Sequence, residues 1–194
     1  MEVWFTTIPT RFPLISGRYW SMRSAPVITF PLAYVEQSIM NREKRMKELL
    51  ACISVNFCNI AQKYHFSVRE KALKIVDAHP NLPINRSFVR EAALLHDIGI
   101  FLTDAPTIQC FGEHPYIAHG YLGADLLRKE GFERHALVCE RHTGAGLSLE
   151  EIIERQLPLP HREMLPVTLE EQIICFADKF FSKTHLDEEK TVEK

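Results

Sequence analysis

In the middle of the chain an apolar run, Ala92-Ala93-Leu94-Leu95-His96-Asp97-Ile98-Gly99-Ile100, sets an imidazole and a carboxylate side by side. Val89, Ala92, Ala93 and His96 fall at helical spacing and Gly99 is a stop signal, so the pair reads as a helix end. Burying such a pair is costly unless something compensates it. A hydrogen-bond network could do so, with His96 donating to a carbonyl and Asp97 capping the next segment. A metal ion could do so equally well. Imidazole nitrogen with carboxylate oxygen suits Mn, Fe, Zn or Mg better than a soft metal. Two residues leave these alternatives even, and further ligands must decide.

Such residues recur along the chain. His65 heads an apolar face with Val68, Ala72, Ile75 and Val76. His119 shares a face with Leu122, Gly123 and Leu126, and His142 shares one with His135, Val138 and Cys139. Asp178 is set at helical spacing between Ile174 and Phe181, among Phe176, Ala177 and Phe180. Singly, an inward histidine is more often a hydrogen-bonded core residue than a ligand. An inward aspartate is rarer, because an unpaired buried carboxylate is expensive. Together, His65, His96, Asp97, His119, His142 and Asp178 come from five different helical segments and face one core. Mutual hydrogen bonds would satisfy such a set poorly, and metal ions would satisfy it at once.

The order His … His-Asp … His … His … Asp resembles that of the HD superfamily of metal-dependent phosphohydrolases, in its HDIG form. The motifs that carry the resemblance are Leu94-Leu95-His96-Asp97-Ile98-Gly99, His119-Gly120-Tyr121-Leu122-Gly123-Ala124, Arg141-His142-Thr143-Gly144 and Ala177-Asp178-Lys179. The match runs from about residue 64 to 184 and looks most like the small bacterial HD-domain proteins. The His-Thr-Gly element is also similar to HD hydrolases that cut diadenosine tetraphosphate. The resemblance implies that His65, His96, Asp97 and Asp178 hold one ion. It also implies that Asp97 bridges to a second, which His119 and His142 help hold. The first ligand departs from the pattern. The family's first histidine usually stands four residues before the helix's Val and eight before its Ala. Here those places lead back from Val68 and Ala72 to Tyr64, with His65 one step later. Either residue could take the first position.

The elements that must position these side chains are helical. Met46, Leu49, Leu50, Ile53, Phe57 and Ile60 predict a helix over about 42–64, followed by one over His65–Ala78. His79-Pro80-Asn81-Leu82-Pro83 is a loop. Ser87 or Asn85 caps the His-Asp helix. The stretch Phe101–Pro115 reads as a functional wall or lid beside the His-Asp pair, with Asp104 and Glu113 as outer carboxylates. Helices follow over Tyr116–Lys129, Glu133–His142, Leu149–Glu154 with a Ser148/Glu151 capping box, and Leu169–Lys183 behind Thr168. The expected fold is all-α, an HD-domain bundle of about six to seven helices. Residues 1–43 form an irregular, Pro-broken extension, 44–186 the HD domain and 187–194 a charged tail. An alternative reading of that extension starts the working protein at Met40 or Met46.

Composition narrows the function classes. At 194 residues with net charge -2, the chain can bury a core but offers no broad basic surface for nucleic acid. Cys52, Cys58, Cys110, Cys139 and Cys175 show no paired spacing, which indicates reduced thiols and a cytoplasmic home. No apolar run is long enough to span a membrane. The expected activity is hydrolysis of a phosphate ester on a small phosphorylated metabolite, a nucleotide among the candidates. One or two divalent ions (Mn, Fe, Mg, Zn or Co) would assist, with Asp97 and His96 at the chemistry. Arg141, Lys179 and Lys183 would meet the phosphate charge. The 101–115 and 143–166 segments, with Phe101, Phe111, Tyr116, Pro158, His161 and Arg162, would build the pocket. The alternative is a catalytically degenerate HD module that binds a nucleotide as a regulatory protein. Oligomeric state is open.

Overall fold

The structure, a computed structural model, describes residues 42–49, 59–184 and 189–191. Expectations for 1–41, for Cys52 and Cys58, and for most of the tail lie outside the described residues. Everything below belongs to the compact unit Arg42–Lys194.

The described residues are mostly helical. They hold α1 (42–49), α2 (Asn59–Ala78), α3 (Arg86–Leu95), α4 (His119–Lys129), α5 (Glu133–Arg141), α6 (Leu149–Glu154) and α7 (Leu169–Asp178). The stretch read as a wall or lid carries a 3-10 turn over Ile98–Leu102 and three short strands, β1 (Thr103–Ala105), β2 (Cys110–Phe111) and β3 (His114–Pro115). In this small sheet β1 is central. It pairs antiparallel with β2 through Ala105 and Cys110, and parallel with β3 through Thr103 and His114.

Several boundaries differ from expectation, each for a local reason. No break falls between Tyr64 and His65, because Lys63-Tyr64-His65-Phe66 contains no Gly or Pro, and α2 runs through them. Its buried stripe is Tyr64, His65, Val68, Ala72, Leu73 and Val76, so both first-ligand candidates face inward. Asn85 wins the cap of α3, accepting from Phe88 N at 3.0 Å. At the far end α7 stops at Asp178, five residues before the expected Lys183. There the backbone tightens into bonds from Lys179, Phe180 and Phe181 to the third residue back, and the chain leaves the helix axis. That early stop is what lets Lys183 turn back toward the centre.

Two buried clusters meet at the end of α3. One joins α2, α3, α5 and α7 through Val68, Ala72, Val89, Ala93, Val138 and Ile174. The other joins α1, α4, α5 and the turn after α3 through Met46, Leu95, Ile100, Leu127, Phe132 and Cys139. His96 and Asp97 follow directly on Leu95, so they sit at the seam and are fully buried. Gly99 does not stop α3 by a left-handed backbone. It lies inside the 3-10 turn, and its hydrogen is aimed at the backbone of His119 and Gly123. Any side chain there would push α4 away from the His-Asp pair.

Candidate metal centre

His96, His119 and His142 are held by one shared device. Each donates its Nδ1–H to the carbonyl three residues back: Ala93, Tyr116 and Cys139, at 2.7 Å in every case. In a neutral ring this leaves Nε2 with a lone pair and no hydrogen. All three Nε2 atoms then point at Asp97. His119 and His142 lie 3.2 Å from Asp97 Oδ1, and His96 lies 3.3 Å from Oδ2. His119 Nε2 and His142 Nε2 are 3.1 Å apart. Between neutral His119 and His142 lone pairs thus face each other beside the carboxylate, in a pocket with almost no water contact, while a charged His96 turns an Nε2–H toward Asp97 and Asp178. Such a set needs a cation, and backbone-anchored Nδ1 atoms are the usual second tier of a metal-ligating histidine.

His96, Asp97 and His142 each offer a ligand atom within 4.8 Å of the others, a set compatible with one divalent ion. Around it the structure brings together the remaining candidates. Asp178 Oδ1 is 3.3 Å from His96 Nε2, and His65 Nε2 is 3.9 Å from Asp97 Oδ2. His65 is fully buried on α2. Tyr64, its neighbour, donates its hydroxyl to Asp178 Oδ1 in a short hydrogen bond. Both residues at the first position therefore reach the centre, each through a different carboxylate.

The three basic candidates separate. Lys183 Nζ lies 2.8 Å from Asp97 Oδ2. Lys179 Nζ lies 3.7 Å from Asp178 Oδ2 at a part-exposed rim. Arg141, the last residue of α5, is instead engaged by buried Glu171, to whose Oε2 its Nη1 donates at 2.9 Å. Nothing in the sequence signalled that Lys183 would pair with Asp97, because the expected helix would have carried it past the site. The carbonyl anchors were equally hidden, since any residue offers a carbonyl three places upstream.

The electrostatics follow the geometry. Burial opposes ionisation of Asp97, but the Lys183 and His96 charges and the close approach of the His142 and His96 rings hold its carboxyl well below the usual range. Asp178 is likewise lowered against its burial, first by the His96 hydrogen bond and charge. Burial also opposes the imidazolium of His96, yet Asp97 and Asp178 raise it to about 9. Burial lowers His119 to about 4. For His65, burial and then the neighbouring His96 lower it to about 3. Burial and Asp178 push the Tyr64 phenol above its ordinary value, so it stays a donor.

A cavity of about 670 Å³ lies beside this centre and meets it through Tyr64, Asp178 and Lys183. Its walls include Tyr64, Tyr116, Asp178, Lys179, Phe181 and Lys183, and the 104–108 segment closes one side. Asp104 lines it, while Glu113 is an exposed residue of the small sheet's edge. The 143–166 segment contributes nothing to this cavity. Arg162, expected in the pocket, instead pairs with buried Glu140, to which Arg128 Nη2 also donates at 2.8 Å. The loop's rigidity thus serves the fold.

His135 is a buried imidazole that stands away from the centre. It packs between Phe88 and Phe132, and among the described residues neither ring nitrogen makes a hydrogen bond; Glu91 Oε2 lies 3.6 Å off. Burial, then Arg42 and Arg134, lower it to about 4. A folded pKa below the unfolded one gives stability that is full above pH of about 6.5 and lost as pH falls toward the folded value. Between pH 7 and 5 this residue should cost the fold on the order of 2 kcal/mol. His135→Leu should flatten that part of the stability curve, read by urea unfolding at each pH. An unchanged slope would place the acid sensitivity elsewhere.

The HD domain family model matches residues 54–182. Uncharacterized protein MJ0778 of Methanocaldococcus jannaschii is 38% identical over 140 residues, covering 72% of each chain. Proteins named tRNA (cytidine(56)-2'-O)-methyltransferase, from Picrophilus torridus and Thermoplasma volcanium, are 33% and 39% identical over 69% and 60% of this chain. The matched stretch spans only 35% and 30% of those two proteins. No solved structure matches the chain significantly. With a helical fold, a buried His-Asp-His set and a family match over most of its described length, the chain belongs to the HD superfamily, a domain of the metal-dependent phosphohydrolase type.

Proposed function

We propose that this chain hydrolyses a phosphate ester, mono- or diester, on a small metabolite, with a nucleotide as the leading candidate. The observation that carries this reading is the convergence of three backbone-anchored imidazoles on Asp97, which leaves acceptor atoms facing one another. His96, Asp97 and His142 would hold a divalent ion, Mn, Fe, Co, Zn or Mg, with His65, His119 and Asp178 in reach of the same centre. When bound, the ion supplies Lewis acidity toward a phosphoryl oxygen and toward the attacking water.

The chain's own residues do the rest. Asp97 stays ionised at neutral pH and so can accept a hydrogen bond from the water and aim it. His96, flanked by Asp97 and Asp178, keeps its ring fixed by the Ala93 carbonyl and holds those two carboxylates in register. Lys179 stands at the cavity mouth, where its ammonium can meet a phosphate oxygen. Arg141, also a phosphate candidate by sequence, would have to give up Glu171 to take part. The cavity volume suits a nucleotide-sized ligand, and Tyr116 and Phe181 offer ring surface to a base. The relatives whose names concern tRNA lend support to a nucleotidic substrate. No helix among the described residues is long and apolar enough to cross a membrane. The cysteines show no paired spacing in the sequence, which supports a cytoplasmic setting.

The test is hydrolysis of p-nitrophenyl phosphate, its bis-ester and a nucleotide panel by protein reconstituted with Mn, Fe or Co. Turnover should vanish with EDTA and return with metal. In the same samples EDTA should lower the melting temperature, because an ion at a hundred times its Kd stabilises the fold by about 2.7 kcal/mol. Tight nucleotide binding by metal-loaded protein without turnover would favour the regulatory reading. The engagement of Asp178 by Tyr64 is the feature that speaks for that alternative.

A further inference from the structure

The two sides of Asp97 are not alike. On the Oδ1 side stand His119 and His142, each at 3.2 Å, with no cation among the described residues. On the Oδ2 side stand His96 at 3.3 Å, His65 at 3.9 Å and, nearest, the Lys183 ammonium at 2.8 Å. Lys183 is held there by more than charge. Its Nζ lies 4.3 Å from the centre of the Tyr64 ring and 5.8 Å from that of Tyr116, both within cation–π range. Tyr64 also occupies Asp178 Oδ1 with its hydroxyl. One tyrosine therefore engages one potential ligand and seats the cation that engages the other. The ligand atoms that cluster most closely, His96, Asp97 and His142 within 4.8 Å and His119, Asp97 and His142 within 3.2 Å, leave out Asp178.

In a two-metal centre a shared carboxylate bridges ions about 3.5–4 Å apart. An ammonium on one oxygen of Asp97 occupies the space that the second such ion would need, and repels a divalent charge placed beside it. We propose that Lys183 is the second cation of this site: the chain binds one divalent ion, and the caged lysine ammonium stands where another would bind. Lys183 is then a positioning residue. It balances Asp97, limits the stoichiometry, and presents a fixed positive charge to the cavity it lines.

This inference rests on the metal-binding reading above, and the experiment separates the two. Protein purified without chelator or affinity tag is saturated with Mn, desalted, and its metal counted per chain by plasma mass spectrometry. Wild type should hold about one ion and Lys183→Met about two, the number a bridged centre takes. Lys183→Arg, which keeps the cation, should stay near one. Circular dichroism melts check that each variant folds. If Lys183→Met does not fold, Lys183→Gln, which keeps a polar head, takes its place. Two ions in wild type would overturn the inference and leave the metal reading intact. One ion in wild type and in the folded neutral variant would also overturn it. No ion in any form would overturn the metal reading itself.

Discussion

Asp97→Asn should lower phosphate ester turnover by at least about a thousandfold, as expected when a group acting on the transition state is lost. The same variant should lose its ion. Among the described residues the carboxylate gathers four groups of the centre within 3.3 Å: Oδ1 meets His119 and His142, and Oδ2 meets His96 and Lys183. An amide has the same shape and none of the charge. It offers one acceptor oxygen where the site uses two, and its other end would present hydrogens either to Lys183 or to the imidazoles. Stability should fall as well, because Lys183 keeps its partly buried charge without a partner. Removing one partner of a buried pair costs about 3–5 kcal/mol. Here the side chain is 13% exposed and borders the cavity, so it can swing toward water and the lower figure applies. A domain of this size would melt roughly 6–12 °C lower. Turnover is measured on samples whose folded fraction is known from circular dichroism, so the two losses are read separately. An Asp97→Asn protein with wild-type turnover would end the proposed mechanism.

The parts of this centre that were legible in the sequence are those tied to helical period. His65, His96, His119, His142 and Asp178 each fall on an apolar stripe, and packing such stripes together brings whatever polar groups they carry to one place. The order of the ligands along the chain added the family resemblance. The choice between Tyr64 and His65 was not legible, and the structure shows why. Adjacent residues on a helix sit about 100° apart, and the buried stripe of α2 is wide enough to include both. The place of Lys183 was hidden for a different reason. Ala177 to Lys183 contains no Gly or Pro, so nothing local marks the stop after Asp178. The helix ends through tertiary packing, with Phe180 buried and its carbonyl accepting from Lys190 N at 2.8 Å. The small sheet in 103–115 was also missed, because strands of two or three residues carry too little alternation to register. Arg141 and Arg162 show the limit of reading charge by proximity in sequence. Both stand near ligands along the chain, and both are engaged by buried glutamates, Glu171 and Glu140.

Gly99→Ala should be among the most damaging single-methyl additions in the chain. A Cβ at position 99 would collide with Gly123 N and His119 O and come within 2.8 Å of Gly123 Cα. All three are backbone atoms of α4, so no side-chain rotation relieves the clash. The helix must shift as a body, and its first residue is His119. Overpacking of this kind costs about 3 kcal/mol, and a melting temperature roughly 6–12 °C lower follows for a domain of this size. The site should suffer beyond the fold. Moving His119 away from Asp97 opens the 3.2 Å approach of Nε2 to Oδ1, so metal affinity should fall in the protein that remains folded. Gly131→Ala gives the contrast. Nothing lies within 4 Å of its Cβ position, but its φ is +79°, so the change carries only backbone strain, about 1 kcal/mol, with no effect on metal content. Calorimetry and metal counting on both variants separate strain from collision. Equal melting losses with metal retained in both would show that the contact between the turn after α3 and α4 does not position His119.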